Sequence, residues 1–178
     1  MEHGPGRPRR AGVEEAVRAA TVRLVRERGY AGTSLDQIAK AASVAKTTVY
    51  RRWDSKAELV LDALVDSLGE LPVPARDDQL RSSIAWLASR ISEPAVHRML
   101  VGLVGEAGND EQVRSALRRR FRDPLVQQLS ATWSVEPGAV DLAFDAVVGT
   151  LLHHAALAGS IADEVVDAVT DIGHRLLT

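Results

Sequence analysis

Cationic, hydroxyl and aromatic side chains crowd one stretch of the chain, "SVAKTTVYRRWDSKAEL", Ser43 to Leu59. Lys46, Thr47, Thr48, Tyr50, Arg51, Arg52 and Lys56 fall within eleven residues of one another. Such groups suit two surfaces of duplex DNA at once. A helix end bearing Lys, Thr and Tyr fits the major groove, and flanking Arg and Lys fit the phosphates beside it. The charge distribution points the same way. Residues 1–58 carry twelve Lys and Arg against seven Asp and Glu, whereas residues 59–178 carry ten against seventeen. A basic head on an acidic body matches that asymmetry, which the net charge of -2 conceals.

Helices must position these groups, because nearly every segment has helical period and none shows sustained strand alternation. The expected fold is all-α: a three-helix helix-turn-helix head plus a helical C-terminal body, about nine helices in total. In the first helix Val13, Ala16, Val17, Ala20 and Leu24 share a face, and Gly29 is placed to end it. "TSLDQIAKAA" begins a second, with Ser34 and Gln37 at capping-box spacing and Leu35, Ile38 and Ala39 inward. Lys46 starts a short third helix with Val49 and Trp53 inward, and Val44 plugs the turn before it. The fourth starts at "DSKAEL", where Ser55 and Glu58 again have capping-box spacing, and continues through Leu61, Leu64 and Leu68. Pro72 and Pro74 then mark a boundary. Further helices are expected at about 77–92, 94–107, 110–132, 138–158 and 162–177, with a kink at Pro124.

On these residues the chain resembles the TetR family of transcriptional regulators. "GYAGTSLDQIAKAASVAKTTVYRRWDSKAELVLDAL" matches the family's DNA-binding region, with Gly29, Tyr30, Thr33, Ile38, Ala39, Ala42, Val44, Lys46, Thr48, Tyr50, Trp53, Lys56 and Leu59 where its usual residues lie. The resemblance implies that Thr33 and Ser34 help hold a phosphate, that Lys46 and Thr48 lead the recognition helix, and that Tyr50 and Lys56 touch phosphates. Ser43, Ala45 and Thr47 depart from the pattern, standing where Gly, a capping Ser and a small residue are common. Ser43 or an ordered water is expected to replace the missing cap. The implied organisation is a flexible basic arm at 1–12, a helix-turn-helix domain at 13–58 with its connecting helix reaching about 69, and a ligand-binding and dimerisation domain at 70–178.

In the arm, "GPGRPRR" reads in two ways. Gly6, Arg7 and Pro8 resemble the core of an AT-hook, in which Arg7, with Arg9 nearby, enters an A·T-rich minor groove; the other reading is a merely basic tail. In the body, Ala143, Val147 and Thr150 keep one helix thin, while Val165, Val169 and Ile172 stripe the next. The resemblance implies that these last two helices form a homodimer's four-helix bundle, so that two recognition helices read a near-palindrome of double-stranded DNA. It also implies a pocket for a small-molecule effector. Trp86, Leu100, Leu103, Val104, Phe121, Leu125, Phe144 and Val148 are candidates for its lining, with His97 and His153 as polar handles, although each also reads as ordinary core.

Other classes find little support. There is no Cys, hence no disulfide or thiolate chemistry. His153 and His154 are adjacent and point about 100° apart on a helix, so they cannot chelate one ion as an i, i+4 pair can. With no G-x-S-x-G turn and no Gly-rich phosphate loop, neither an enzyme nor a cofactor is expected. No apolar run of membrane-spanning length and no secretory leader are read, so the expected location is the bacterial cytoplasm. The expected function is a ligand-responsive DNA-binding regulator, most commonly in that family a repressor. A nonspecific architectural DNA-binding protein and a constitutive repressor with no effector are the alternatives.

Overall fold

The computed structural model describes residues 8–69, 79–133 and 135–177. Among them the fold is all-helical, with nine helices and no strand. The head contains α1 (Pro8–Arg28), α2 (Leu35–Ala41) and α3 (Lys46–Tyr50), and α4 (Lys56–Leu68) joins it to the body. Helix α1 begins at Pro8, five residues before the periodicity suggested. Proline's fixed φ suits a first helical turn, so Arg9 lies on helical backbone, while Arg7 and Pro72 to Pro74 lie outside the described residues. Gly29 ends α1 at φ 74°, its N–H donating to the Val25 carbonyl at 2.9 Å. Only glycine takes that left-handed conformation without steric cost.

The body consists of α5 (Gln79–Ser92), α6 (Pro94–Ala107), α7, α8 (Pro137–Ala158) and α9 (Asp163–Leu177). Helix α7 is a continuous run of Glu111–Leu117, a π-helical turn Arg118–Arg122, and Asp123–Trp133. Pro124 explains the wide turn. It has no N–H and its ring collides with a carbonyl four residues back, so an α-helix cannot pass through it undisturbed. Instead Asp123 donates its N–H to the Arg118 carbonyl, five residues back, and one extra residue is absorbed.

Two cores result. Val17, Leu24, Leu35, Ile38, Val49, Trp53 and Leu59 pack together in the head. Val60, Leu61 and Leu64 of α4 turn instead into the body, beside Ile91, Met99, Leu100, Leu103 and Leu151. Burying a side chain such as Ile38 contributes about 1.5–3 kcal/mol. Helix α4 therefore belongs to both units, one face to each.

Helix α8 carries two apolar stripes. Val140, Ala143, Phe144, Val147, Leu151 and Ala155 are buried, whereas Leu142 and Leu157, 61% and 76% exposed, share the opposite face with Gly149, Thr150 and His153. A helix apolar all round expects cover on both sides. Against the sequence reading, Gly138–Ala158 is long and apolar enough by composition to cross a membrane, with mean hydropathy 1.3 over 21 residues. Its two carboxylates, Asp141 and Asp145, are both held by Arg122 of α7, at 2.7 and 2.8 Å. Those two bonds, the Asp145 one foremost, raise the Arg122 guanidinium above even its ordinary range.

Candidate nucleic-acid interface

The polar surface of the head is built from two short helices. Ser34 caps α2 by accepting from the Gln37 N–H at 3.3 Å, while the Gln37 side chain accepts from the Ser34 N–H at 3.0 Å, the reciprocal box expected from their spacing. At α4 only half of that box forms. Ser55 accepts from the Glu58 N–H at 3.1 Å, but the Glu58 carboxylate takes the N–H of Asp54 instead, at 2.8 Å.

Between α2 and α3 the chain turns at Ser43, whose φ of 57° is left-handed and costs a non-glycine residue about 1–2 kcal/mol. Val44 then donates to the Ala39 carbonyl at 3.0 Å, which closes the turn. Ala45, the residue just before α3, leaves the helix with no side-chain cap, so Ser43 does not supply the one expected of it. The fixed turn leaves Ser43, Lys46, Thr47, Tyr50 and Arg51 exposed, with Val49 fully buried beneath them.

One carboxylate organises that face. Asp36 of α2 accepts from the Lys46 ammonium at 2.5 Å and from the Tyr50 hydroxyl at 3.3 Å. The Lys46 ammonium holds the Asp36 carboxyl below the usual carboxylate range, and Asp36 in turn raises Lys46. Sequence reasoning missed Asp36. It was findable as the sole acidic residue between Glu27 and Asp54.

Other expected contacts turn inward. Thr33 is 3% exposed and its hydroxyl donates to the Gly29 carbonyl at 2.9 Å, so it ties the α1–α2 loop rather than facing a phosphate. Arg52 is held by Glu14 at 3.1 Å and by the Thr48 carbonyl at 3.3 Å. Thr48 itself is half-buried. Lys56 donates to the Tyr30 carbonyl at 3.3 Å and lies 4.0 Å from the centre of the Tyr30 ring. Tyr30 is the plug between head and body. Its hydroxyl is buried without a hydrogen bond of regular geometry. Burial first, then its approach to Glu106 and the charge of Asp110, holds the phenol above its ordinary range. Gly102 of α6 makes room for that ring, since a Cβ there would stand 2.2 Å from the Tyr30 Cβ.

The head's sequence and geometry converge on one family. The description "bacterial regulatory proteins, tetR family" matches residues 17–63, which span α1 from its buried face through α3 and into α4. The chain belongs to the TetR family. It is a DNA-binding transcriptional regulator of that family. YdeS, an HTH-type transcriptional regulator of Bacillus subtilis (strain 168), is 26% identical over 181 residues, covering 94% of this chain and 89% of that protein. An HTH-type transcriptional regulator of Mycobacterium tuberculosis (strain ATCC 25618 / H37Rv) is 34% identical over 112 residues, 62% of this chain and 55% of the relative. The structure of FadR, a transcriptional regulator from Bacillus subtilis in complex with stearoyl-CoA, shares the fold, with a TM-score of 0.69 at 14% identity over 92% of this chain and 97% of that one.

The TetR-like body places the remaining candidates as follows. Trp86, Leu125 and Phe144 line one apolar cavity of about 40 Å³, together with Leu80, Ile84 and Leu129. Ala143 and Val147 line the same cavity, and Val169 is buried at 2%, so all three face their own protomer rather than a partner. The reason is register: at 100° per residue, the outward stripe of α8 runs through Leu142 and Gly149. Thr150 and Ile172 are exposed and Val165 is half-buried. Leu100 and Leu103 are core, and Phe121 is buried with its ring edge-on to Phe144 at 6.4 Å. Val148 packs at the margin of the core. Val104 and His153 are exposed, and His97 lies in a separate cleft beside Tyr30. None of these seven lines the cavity.

Proposed function

We propose that this TetR-family protein is a ligand-responsive repressor that binds a near-palindromic operator as a homodimer in the bacterial cytoplasm. The observation that carries the DNA reading is the outward face of α3, where Lys46, Thr47, Tyr50 and Arg51 stand exposed above buried Val49. Lys46 and Tyr50 would read the groove and its edge, with Ser34, Ser43 and Thr48 beside them and Arg7, ahead of α1, as a candidate for the minor groove. The outward stripe of α8, together with Val165 and Ile172 on α9, supports self-association. A second copy offers the apolar cover that Leu142 and Leu157 lack. A two-fold dimer would set the recognition helices about 34–36 Å apart.

The cavity between α5, α7 and α8 supports an apolar effector. At about 40 Å³ it holds little more than a water, so a larger guest has to part these helices. A regulator of the same fold, FadR of Bacillus subtilis, holds stearoyl-CoA. Coupling of about 1–3 kcal/mol between effector and operator gives a 5- to 150-fold response. Selection of bound fragments from a random duplex pool at about 150 mM salt tests the reading, since salt suppresses purely phosphate-driven binding. A palindromic consensus is expected. Absence of enrichment, with binding that simply fades as salt rises, would favour an architectural protein instead.

A further inference from the structure

Asp62 of α4 gathers donors from three other elements. Trp53, just beyond α3, donates its indole N–H at 3.3 Å; Arg18 of α1 donates at 3.4 Å; Arg120, in the π turn of α7, donates at 2.6 Å. Two of these elements belong to the head and one to the body. The carboxylate side chain is only 23% exposed, so its partners are poorly replaced by water. Trp53 in turn packs in the head core against the inward side of α3, with Val49. Asp62 therefore fixes the back of the recognition helix, and a body residue shares the grip.

The π turn is itself anchored to the cavity wall. Phe121, next to Arg120, meets Phe144 edge-on, and Phe144 lines the apolar cavity. Two residues along, Arg122 is pinned to Asp141 and Asp145 of the same helix. Pro124 keeps this turn from relaxing to a regular α-helix. Three neighbouring side chains thus link α8 to α4.

We infer that Asp62 is a positioning residue for DNA reading, and that Arg120 is the arm through which the body sets the pose of the recognition helix. The role in DNA reading rests on the sequence-specific binding proposed above and needs no effector. An effector that enters the cavity meets Phe144, and through its ring contact with Phe121 reaches the π turn.

Arg120→Ala is the informative variant, because Arg120 is exposed and its loss leaves the Phe121–Phe144 contact in place. Two readouts are needed: affinity at about 150 mM salt for a duplex selected by the parent and for a random duplex, and the Trp53 indole N–H resonance, assigned by its loss in Trp53→Phe. Arg120→Ala should shift that resonance and lower selected-duplex affinity by about fivefold, the low end of coupling between sites, with random-duplex affinity unchanged. Arg120→Lys should restore part of both. Equal loss on the two duplexes would make Arg120 a plain phosphate contact and overturn the proposal, as would an unmoved indole resonance. The resonance needs no DNA, so a parent that selects no duplex would sink the operator reading while the positioning role is still judged by the indole shift.

Discussion

Head and body are packed by the same kinds of side chain, yet they present their surfaces in opposite ways. The head buries one stripe on each short helix and exposes cations and hydroxyls, organised by Asp36. The body buries one stripe of α8 and exposes another that is apolar as well, from Leu142 to Leu157. A short amphipathic helix has one answer to which side faces in. A helix apolar all round has two, and only its neighbours decide between them.

The two cores offer the largest way to break that comparison. Ile38→Ala in the head and Leu100→Ala in the body, both at sites no more than 2% exposed, should each cost about 2–5 kcal/mol. Ile38→Ala should abolish duplex binding while circular dichroism retains most of the helical signal. Leu100→Ala should lower the melting of the whole chain. Next comes the junction. Gly102→Ala should cost about 1–3 kcal/mol by overpacking against Tyr30, seen as faster hydrogen exchange in the α1–α2 loop.

The same junction should respond to alkali. Because the folded Tyr30 phenol is held above its ordinary range, its stabilising share is complete below about pH 10, the unfolded value, and is lost as pH rises beyond that. Denaturation curves should show stability falling in alkali, and Tyr30→Phe should flatten that fall. The smallest effect belongs to the turn. Ser43→Gly should raise stability by about 0.5–1 kcal/mol, the strain relieved less the added chain entropy, measured as a modest rise in melting temperature.

Much of the head was legible because its chemistry rides on short spacings. Ser34 with Gln37, the inward set of Leu35, Ile38 and Ala39, and the exposed Lys46 and Tyr50 all lie within one or two turns of each other. The long-range pairings were not. Asp62 meets Arg18 across 44 residues and Arg120 across 58, and no local pattern announces either. The inward turn of Arg52 and Lys56 was hidden for the same reason, their partners Glu14 and the Tyr30 carbonyl lying 38 and 26 residues away, whereas Thr33 bonds a carbonyl only four residues back, which no side-chain pattern marks. In α8 the small residues Ala143 and Val147 looked like a seam for a partner helix, and the packing of α5 and α7 claims them instead. Pro124 did mark a disturbance, and it takes the form of a π turn.

The most direct test of the DNA-facing surface sets Lys46→Ala beside Lys56→Ala. Both remove one cation, but Lys46 stands on the outward face with Asp36 and Lys56 is folded onto Tyr30. Affinities for the selected duplex should be measured across a range of salt, with sedimentation confirming that assembly is unchanged. Lys46→Ala should lose affinity for the selected duplex and weaken its discrimination against random DNA, while Lys56→Ala keeps the parent's salt slope. Full operator affinity in Lys46→Ala, with a slope reduced by about one unit in Lys56→Ala, would contradict the assignment.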